Sequence, residues 1–299
     1  MKVLVTGCSG LLGSALCVLF RESFETYGTY SSHKVDIKDC NTAQLDITNA
    51  RQTSSFIKKL KPEIVVHTAA LVGVNACDKS PKIASKINVK GAENVLSSAS
   101  KSSSKLIYIS TDYVFDGKKG IYTEEDSTNP INHYGKTKLE GEQTAEKFDS
   151  CIIRTAIHGW NIFPERQSFS SWVVDALKNK KVIDVFEDQF NSMIFVNNLA
   201  EVIKEAVEKD KKGIYHIAGS ERMSKARFSM KIADIFDLDS SLINPVRTRE
   251  ELLATRPLDV SLDISKAKKE FTTKILNAGE GITMMKDAHD KGYLKNFRV

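Results

Sequence analysis

Tyr134 and Lys138 lie four residues apart in HYGKTKLEGEQTAEKF, a stretch whose patterning predicts a helix over 133–148. Residues four apart on a helix share a face. A free tyrosine gives up its proton only near pH ~10, and a neighbouring ammonium favours the phenolate and lowers that value. The pair is therefore a proton donor suited to a carbonyl that is being reduced. Thr111 follows the apolar run KLIYIS (105–110), a predicted strand, and from its end the hydroxyl can bond that carbonyl oxygen. Alone, Tyr-x-x-x-Lys is common by chance, but a second motif accompanies it. TGCSGLLG places Gly7, Gly10 and Gly13 between a predicted strand (2–6) and a predicted helix (11–22). Such glycines allow a tight turn, close approach of backbone to a pyrophosphate, and helix–strand packing. The helix N-terminus then offers free N–H groups and a positive dipole end to phosphates. Ser9, Leu11 and Leu12 complete the expected cradle, although the spacing is G-x-x-G-x-x-G rather than G-x-G-x-x-G.

The choice of dinucleotide should be made where the second predicted strand (26–30) ends. An acid about 20 residues past the glycine loop would hold a ribose hydroxyl of NAD. The stretch here reads Tyr30-Ser31-Ser32-His33-Lys34, with no acid before Asp36. Ser31, His33 and Lys34 suit a 2′-phosphate, so NADP(H) is expected over NAD(H); an ordinary polar loop is the alternative. LDIT (45–48) would put Asp46 and Ile47 beside the adenine. HTAAL (67–71) ends a predicted strand, where small Ala69 and Ala70 would let a cofactor lie close.

These positions need a scaffold. Apolar runs predict strands at 2–6, 26–30, 63–69, 105–110, 150–155 and 213–219, alternating with predicted helices at 11–22, 49–60, 82–100, 133–148 and 197–209, and a further helix at 224–238. Strands alternating with helices imply right-handed crossovers and a parallel sheet covered on both faces. The expected fold is α/β: a Rossmann-type doubly wound parallel sheet over 1–156 and a smaller C-terminal substrate-binding lobe over 157–299, with about 190–219 returning to the first domain. The 299 residues are 41% hydrophobic and 27% charged, a globular balance. The net charge of +5 is spread among mixed charges, without basic runs interleaved with aromatics, so no nucleic-acid partner is expected. Cysteines 8, 17, 40, 77 and 151 form no C-x-x-C and read as small core or loop residues in a reducing compartment; the scattered histidines suggest no metal site. The N-terminus carries no signal-like segment and no apolar run can span a bilayer, so a cytoplasmic location without membrane association is expected.

STDYVFDG, YTEEDSTNPINHYGKTKLEGE, GIYHIAGSERMSKARFSMKIADIF and RPLDVSLD together resemble the extended short-chain dehydrogenase/reductases, and within them the dTDP-4-dehydrorhamnose reductase family, over nearly the whole chain. The resemblance implies that Thr111, Tyr134 and Lys138 form the catalytic triad, that Asn88 is its supporting asparagine, and that Lys138 also holds the nicotinamide ribose. It implies NADPH-dependent reduction of a nucleotide-linked 4-keto-6-deoxy sugar, dTDP-4-dehydrorhamnose to dTDP-L-rhamnose, with Thr111, Asp112, Val114, Trp160 and Arg256 on the substrate side. A homodimer is left open. There are departures. The family commonly carries a Trp where this chain has Ile157, with substitution by Trp160 or a different substrate as the alternatives, and DQFNSMIF (188–195) lacks a Pro after its Ser. The loop 158–169 offers Trp160, Phe163 and Phe169 as flat surfaces for a sugar or base and Arg166 for a diphosphate; a plug between the lobes is the alternative. Two rival functions stand beside this one. The first is another nucleotide-sugar 4-ketoreductase or an epimerase. The second is a partner-binding subunit resembling the regulatory β-subunit of methionine adenosyltransferase, which YGKTKLEGE and GSERMSKARF also fit.

Overall fold

Runs such as VLV and IVV, apolar without alternation, need cover on both faces. In the computed structural model, which describes residues 1–163, 166–248 and 255–298, they receive it. Seven strands form one parallel sheet: β1 (Lys2–Thr6), β2 (Glu25–Tyr30), β3 (Asn41–Gln44), β4 (Ile64–His67), β5 (Lys105–Ile109), β6 (Cys151–Arg154) and β7 (Gly213–His216), in the spatial order β7-β6-β5-β4-β1-β2-β3. Alternation within a strand decides which layer each residue joins. Val3 and Val5 enter one core with Leu16 and Phe20, while Leu4 enters the opposite core with Val65, Leu96 and Tyr108.

The longer helices are α1 (Leu11–Phe20), α2 (Ala50–Leu60), α3 (Ala92–Lys101), α4 (His133–Glu146), α5 (Phe169–Lys178), α6 (Val196–Glu208), α7 (Lys225–Ile235) and α8 (Ala278–Asp290). α1 packs with α6 on one face, and α2, α3 and α4 pack together on the other. Asn49 and Asn132 cap α2 and α4 by accepting from the N–H groups of Gln52 and Gly135. Beyond the sheet, α5, α7 and the paired segments Ile183–Phe186 and Ile243–Val246 enclose Val173, Leu177, Phe228 and Ile232 with Ile282 of α8. The chain then turns back: α6 lies on the sheet and β7 pairs with β6.

α5 and α8 are not expected from the sequence, and two further elements, in and beside the sheet, differ from the expectation. β3 is not expected, because NTAQ is polar and half exposed; it survives as an edge strand held by β2 through Gly28 paired with Thr42. The single helix expected over 82–100 is three segments, Pro81–Ser85, a π-helical Lys86–Gly91, and α3. The π segment contains Asn88, whose amide is bonded outside the helix, and such bulges gather at functional positions. Strand order reverses at β1, which has β2 on one side and β4 on the other. The loops leaving β1 and β4 therefore diverge, and a crevice opens at the carboxyl ends of the strands. Among the described residues no helix is long and apolar enough to cross a membrane, and no group of three or more His, Cys, Asp or Glu is placed to hold a metal ion.

Candidate active site

The glycine loop begins where β1 ends. Gly7 sits at φ +80°, and a Cβ there would come within 2.8 Å of the Ala69 Cα. A Cβ on Gly13 would lie 2.2 Å from the Gly7 carbonyl oxygen, so α1 closes onto the turn only as glycine. The N–H groups of Gly7 and Cys8 donate to the Thr29 carbonyl and tie the loop to β2. Gly10 supplies no side-chain cap, and the first turn of α1 carries no acid. The amides of Leu11, Leu12 and Gly13 are left without intrahelical acceptors, which fits a phosphate group; Ser9 is buried within the loop.

The residues expected at the adenosine end are exposed at the tip of β2. Gln44 donates to the Ser31 carbonyl (2.8 Å), Ser32 Oγ meets His33 Nδ1 (2.9 Å), and the His33 ring stands edge-on to Phe163 at 5.4 Å. Lys34 is exposed beside them. Asp36 lies apart, in the short strand Asp36–Ile37 opposite Arg298. The Asp46 carboxylate closes its own turn, accepting from the Thr48 N–H (2.9 Å) and hydroxyl (2.8 Å), and Ile47 is buried where a Cβ on Gly91 would meet it at 2.7 Å. Ala69 and Ala70, after β4, are half-buried beside the glycine turn.

Thr111, Tyr134, Lys138 and Asn88 are brought together past the ends of β4 and β5. The side chain of Thr111 lies close to the Tyr134 phenol and donates to Asp112 Oδ1 at 3.0 Å. Asn88 accepts from the Leu71 N–H (2.7 Å) and donates to the Leu71 carbonyl (3.1 Å) and to Thr137 Oγ1 (3.0 Å). It joins the exit of β4 to the helix that carries Tyr134 and Lys138. Lys138 Nζ stands 4.2 Å above the Tyr108 ring, and the Tyr108 hydroxyl donates to the Lys138 carbonyl at 3.2 Å. Tyr108 can reach that carbonyl because residue 141 is glycine; a Cβ there would lie 2.0 Å from the phenol oxygen.

The electrostatics correct one expectation. Burial pushes the Tyr134 phenol above its ordinary value, with the Thr111 hydrogen bond opposing. Burial likewise pulls Lys138 down to about 7, against the pull of the Glu142 carboxylate. Desolvation disfavours both charged forms, so Lys138 does not drag Tyr134 toward phenolate; the phenol keeps its proton. Behind them, Glu142 and Arg154 form a buried pair (2.8 Å). Arg154 Nη1 meets His216 Nε2 at 3.4 Å, and His216 Nδ1 meets the Tyr122 carbonyl at 2.9 Å. An arginine can only donate, so the proton of a neutral His216 belongs on Nδ1. Burial holds His216 down near 3, and His67, bonded to Thr6 Oγ1 at 2.7 Å, is held to about 3 by burial and by Lys138.

On the substrate side the structure divides the expected residues. Asp112 accepts from Asn191 Nδ2 at 2.6 Å, and burial raises its carboxyl to about 6. Arg256 donates to Asn75 Oδ1 at 2.8 Å, and its charge acts on both Tyr113 and Lys225. Val114 is fully buried in the sheet core and presents nothing to a ligand, a correction. Trp160 is corrected too: its indole N–H donates to the Met285 carbonyl at 2.8 Å and its ring packs on His289 and Phe236. Phe163 is buried, and Phe169, half-buried, packs on Trp172 and Phe228 with Lys225 Nζ 5.8 Å from its ring centroid. Arg166 is half-buried; Pro164 and Glu165 of that loop lie outside the described residues. Sequence reasoning missed Gln189, Asn191 and Lys225. Lys225 Nζ donates to Gln189 Oε1 at 2.9 Å and is pulled down to about 8 by burial and Arg256, with Asp112 opposing. DQFNSMIF contains two of the three, but no local pattern marks them as neighbours of Asp112. A surface cavity of about 280 Å³, lined in part by Ser104, Lys105, Asp149 and Lys212, contains none of these groups.

Comparison with known proteins gives three results. Residues 1–290 match the family model described as the RmlD substrate binding domain. The β-subunit of methionine adenosyltransferase 2 from Xenopus tropicalis is 33% identical over 281 residues, 90% of this chain and 82% of that protein. Among solved structures, a hypothetical dTDP-4-dehydrorhamnose reductase from Sulfolobus tokodaii is 36% identical with a TM-score of 0.84, covering 94% of this chain and 99% of the other. The dTDP-4-dehydrorhamnose reductase from Bacillus anthracis, solved in complex with NADP, is 27% identical with a TM-score of 0.83, covering 96% and 98%.

Proposed function

The chain belongs to the RmlD substrate binding domain family of extended short-chain dehydrogenase/reductases, and from that membership we propose that it is an NADPH-dependent reductase of a nucleotide-linked 4-keto-6-deoxy sugar, dTDP-4-dehydrorhamnose to dTDP-L-rhamnose. The observation that carries this reading is Thr111 close to Tyr134, with Lys138 one turn along the same helix, in a sheet whose first strand leads into an uncapped glycine-rich helix terminus. The dinucleotide, when bound, supplies the hydride. Gly7, Gly10 and Gly13, with the amides of Leu11 and Leu12, hold its phosphates; Ser31, His33 and Lys34 hold a 2′-phosphate; Asp46, Ile47, Ala69 and Ala70 border its adenosine half. Lys138 bonds the ribose beside the reacting ring. Thr111 orients the keto oxygen, and Tyr134, which burial keeps protonated, gives that oxygen its proton. Asn88 holds α4 in place through Leu71 and Thr137. Asp112 and Arg256 border the sugar nucleotide. The test is incubation with dTDP-4-dehydrorhamnose and NADPH, followed by chromatography for dTDP-L-rhamnose. Reduction of another nucleotide's keto sugar instead would keep the reaction class and reject this substrate.

A second reading rests on the likeness to the methionine adenosyltransferase β-subunit. Under it the chain is a partner subunit and the dinucleotide site is structural. Co-purification with a catalytic methionine adenosyltransferase subunit, together with no reduction of any keto sugar, would favour it.

A further inference from the structure

None of the five cysteines, all of them free thiols, takes part in the chemistry above. Three converge on one residue. A Cβ built on Gly28 of β2 would lie 2.7 Å from Cys8 Cβ, 2.9 Å from Cys8 Sγ and 3.2 Å from Cys17 Sγ. Glycine at this position leaves the volume the sulfurs fill. Cys40 completes the cluster: its Sγ lies 3.5 Å from the carbonyl of Thr26, two residues before Gly28 on the same strand, and it packs against the core that contains Cys8 and Cys17, close enough for its thiol and that of Cys17 to act on each other. The three come from different elements. Cys8 lies in the glycine loop, Cys17 in the middle of α1, and Cys40 in the turn before β3. Cys8 and Cys17 are fully buried, whereas Cys40 is half-buried and open to small solutes.

Their surroundings give them different chemistry. The hydrogen bond from Cys17, the Arg21 guanidinium and the Gly28 backbone all favour the thiolate of Cys40 and pull its pKa down against burial. Cys17 is pushed up by its bond to Cys40 and by burial, and Cys8 by burial to about 12. One thiol is thus both the most reactive and the most accessible, with a second thiol already in contact with it.

We propose that Cys40 and Cys17 form a peroxide-oxidised disulfide site that controls the dinucleotide cradle. The Cys40 thiolate attacks a hydroperoxide. An S–O bond forms, the O–O bond breaks, the leaving alkoxide or hydroxide takes up a proton, and the sulfur, oxidised by two electrons, becomes a sulfenic acid. The Cys17 sulfur, giving up its proton, then attacks the Cys40 sulfur; the S–S bond forms, the S–O bond breaks, and water leaves. The two sulfurs must close to about 2.05 Å. The surrounding core is close-packed, so the movement is passed to α1, whose first turn is the phosphate site, and to Cys8 within the glycine loop. A transient bond of this kind suits a thiol pair in a reducing compartment.

The experiment uses the full chain treated with hydrogen peroxide, peptide mapping by mass spectrometry, and NADPH titration before and after. The consequence for binding rests on the dinucleotide reading, so binding to the reduced protein is measured first; the crosslink map is independent of it. Expected are a Cys17–Cys40 crosslinked peptide and NADPH binding weakened by about tenfold, restored by dithiothreitol and unaffected by peroxide in Cys40→Ser. In Cys17→Ser, Cys40 should stop at the sulfenic acid and be trapped by dimedone. If Cys17→Ser does not fold, the variant Cys40→Ser, in the half-buried turn before β3, still decides the matter. Absence of the crosslink, or a crosslink that leaves binding unchanged, overturns the proposal.

Discussion

Replacing Tyr134 by Phe removes one oxygen and leaves the ring facing Tyr113, 6.1 Å away between centroids. If that oxygen delivers the proton, turnover should fall by about 10²–10⁴-fold, the usual effect of a positioned acid. NADPH affinity should hold, because the phosphate contacts lie on the glycine loop. Stopped-flow absorbance with a reducible keto sugar measures the first and fluorescence titration the second; turnover near that of the parent would exclude Tyr134 as the acid. The cofactor preference rests on two other side chains. His33 and Lys34 are exposed at the tip of β2, with no acid before Asp36. NADPH should bind more tightly than NADH, the gap should shrink as salt rises, and the double replacement His33→Ala/Lys34→Ala should close most of it. Equal affinities in the parent protein would reject the 2′-phosphate assignment.

At the scale of elements, glycines decide what can approach what. Gly13→Ala would drive a methyl into the Gly7 carbonyl region, 2.2 Å away, so dinucleotide binding should be lost while the far lobe stays folded; calorimetric titration alongside circular dichroism separates the two. Gly141 couples α4 to β5. Gly141→Ala puts a methyl 2.0 Å from the Tyr108 hydroxyl and 2.6 Å from the ring carbon bearing it, and such overpacking costs about 1–3 kcal/mol. Tyr108→Leu alone leaves a cavity and takes the ring from beneath Lys138. In the double variant the two changes relieve each other, so its loss of stability should be smaller than the sum of the single losses. Additive urea-unfolding energies would show that the two positions are not coupled. The π-helical segment obeys the same logic, since Asn88 gains its bonds to Leu71 and Thr137 only if the helix widens there.

The whole molecule should be acid-sensitive. His67, His158 and His216 are buried and held near 3, in each case chiefly by burial. Neither nitrogen of His158 has a hydrogen-bond partner among the described residues. The unfolded chain binds these protons near pH ~6.5 and the folded chain does not, so stability is lost as pH falls below ~6.5, by about 1.4 kcal/mol per pH unit for each group. Asp112 acts in the opposite sense: its folded carboxyl takes up a proton at about 6, above the unfolded value, and offsets part of the loss. Urea midpoints should fall between pH 7.5 and 5, and His158→Phe should flatten that slope. An unchanged slope in the variant would mean that His158 is protonated without cost.

Features that depend on neighbours along the chain are legible in the amino-acid order alone. Runs of apolar, β-branched and aromatic residues mark six of the seven strands, because such side chains fit a covered, pleated surface. TGCSGLLG marks the strand–turn–helix junction, because only glycines fit Gly7 and Gly13. The four-residue spacing of Tyr134 and Lys138 puts them on one helical face. Features that depend on partners far along the chain arise only when the chain is folded. β3 has no apolar pattern and exists through its pairing with β2. Asn88 breaks its helix into a π segment for bonds to residues 17 and 49 positions away. Val114 and Trp160 belong to motifs that suggest ligand contact, yet the first is enclosed by the sheet core and the second, half-buried, bonds the Met285 carbonyl and packs on Phe236 and His289. The proton affinities of Tyr134 and Lys138 follow the same rule. Spacing alone favours a shared charge effect, whereas desolvation, which depends on how deeply the assembled fold buries both groups, sets the directions of both shifts.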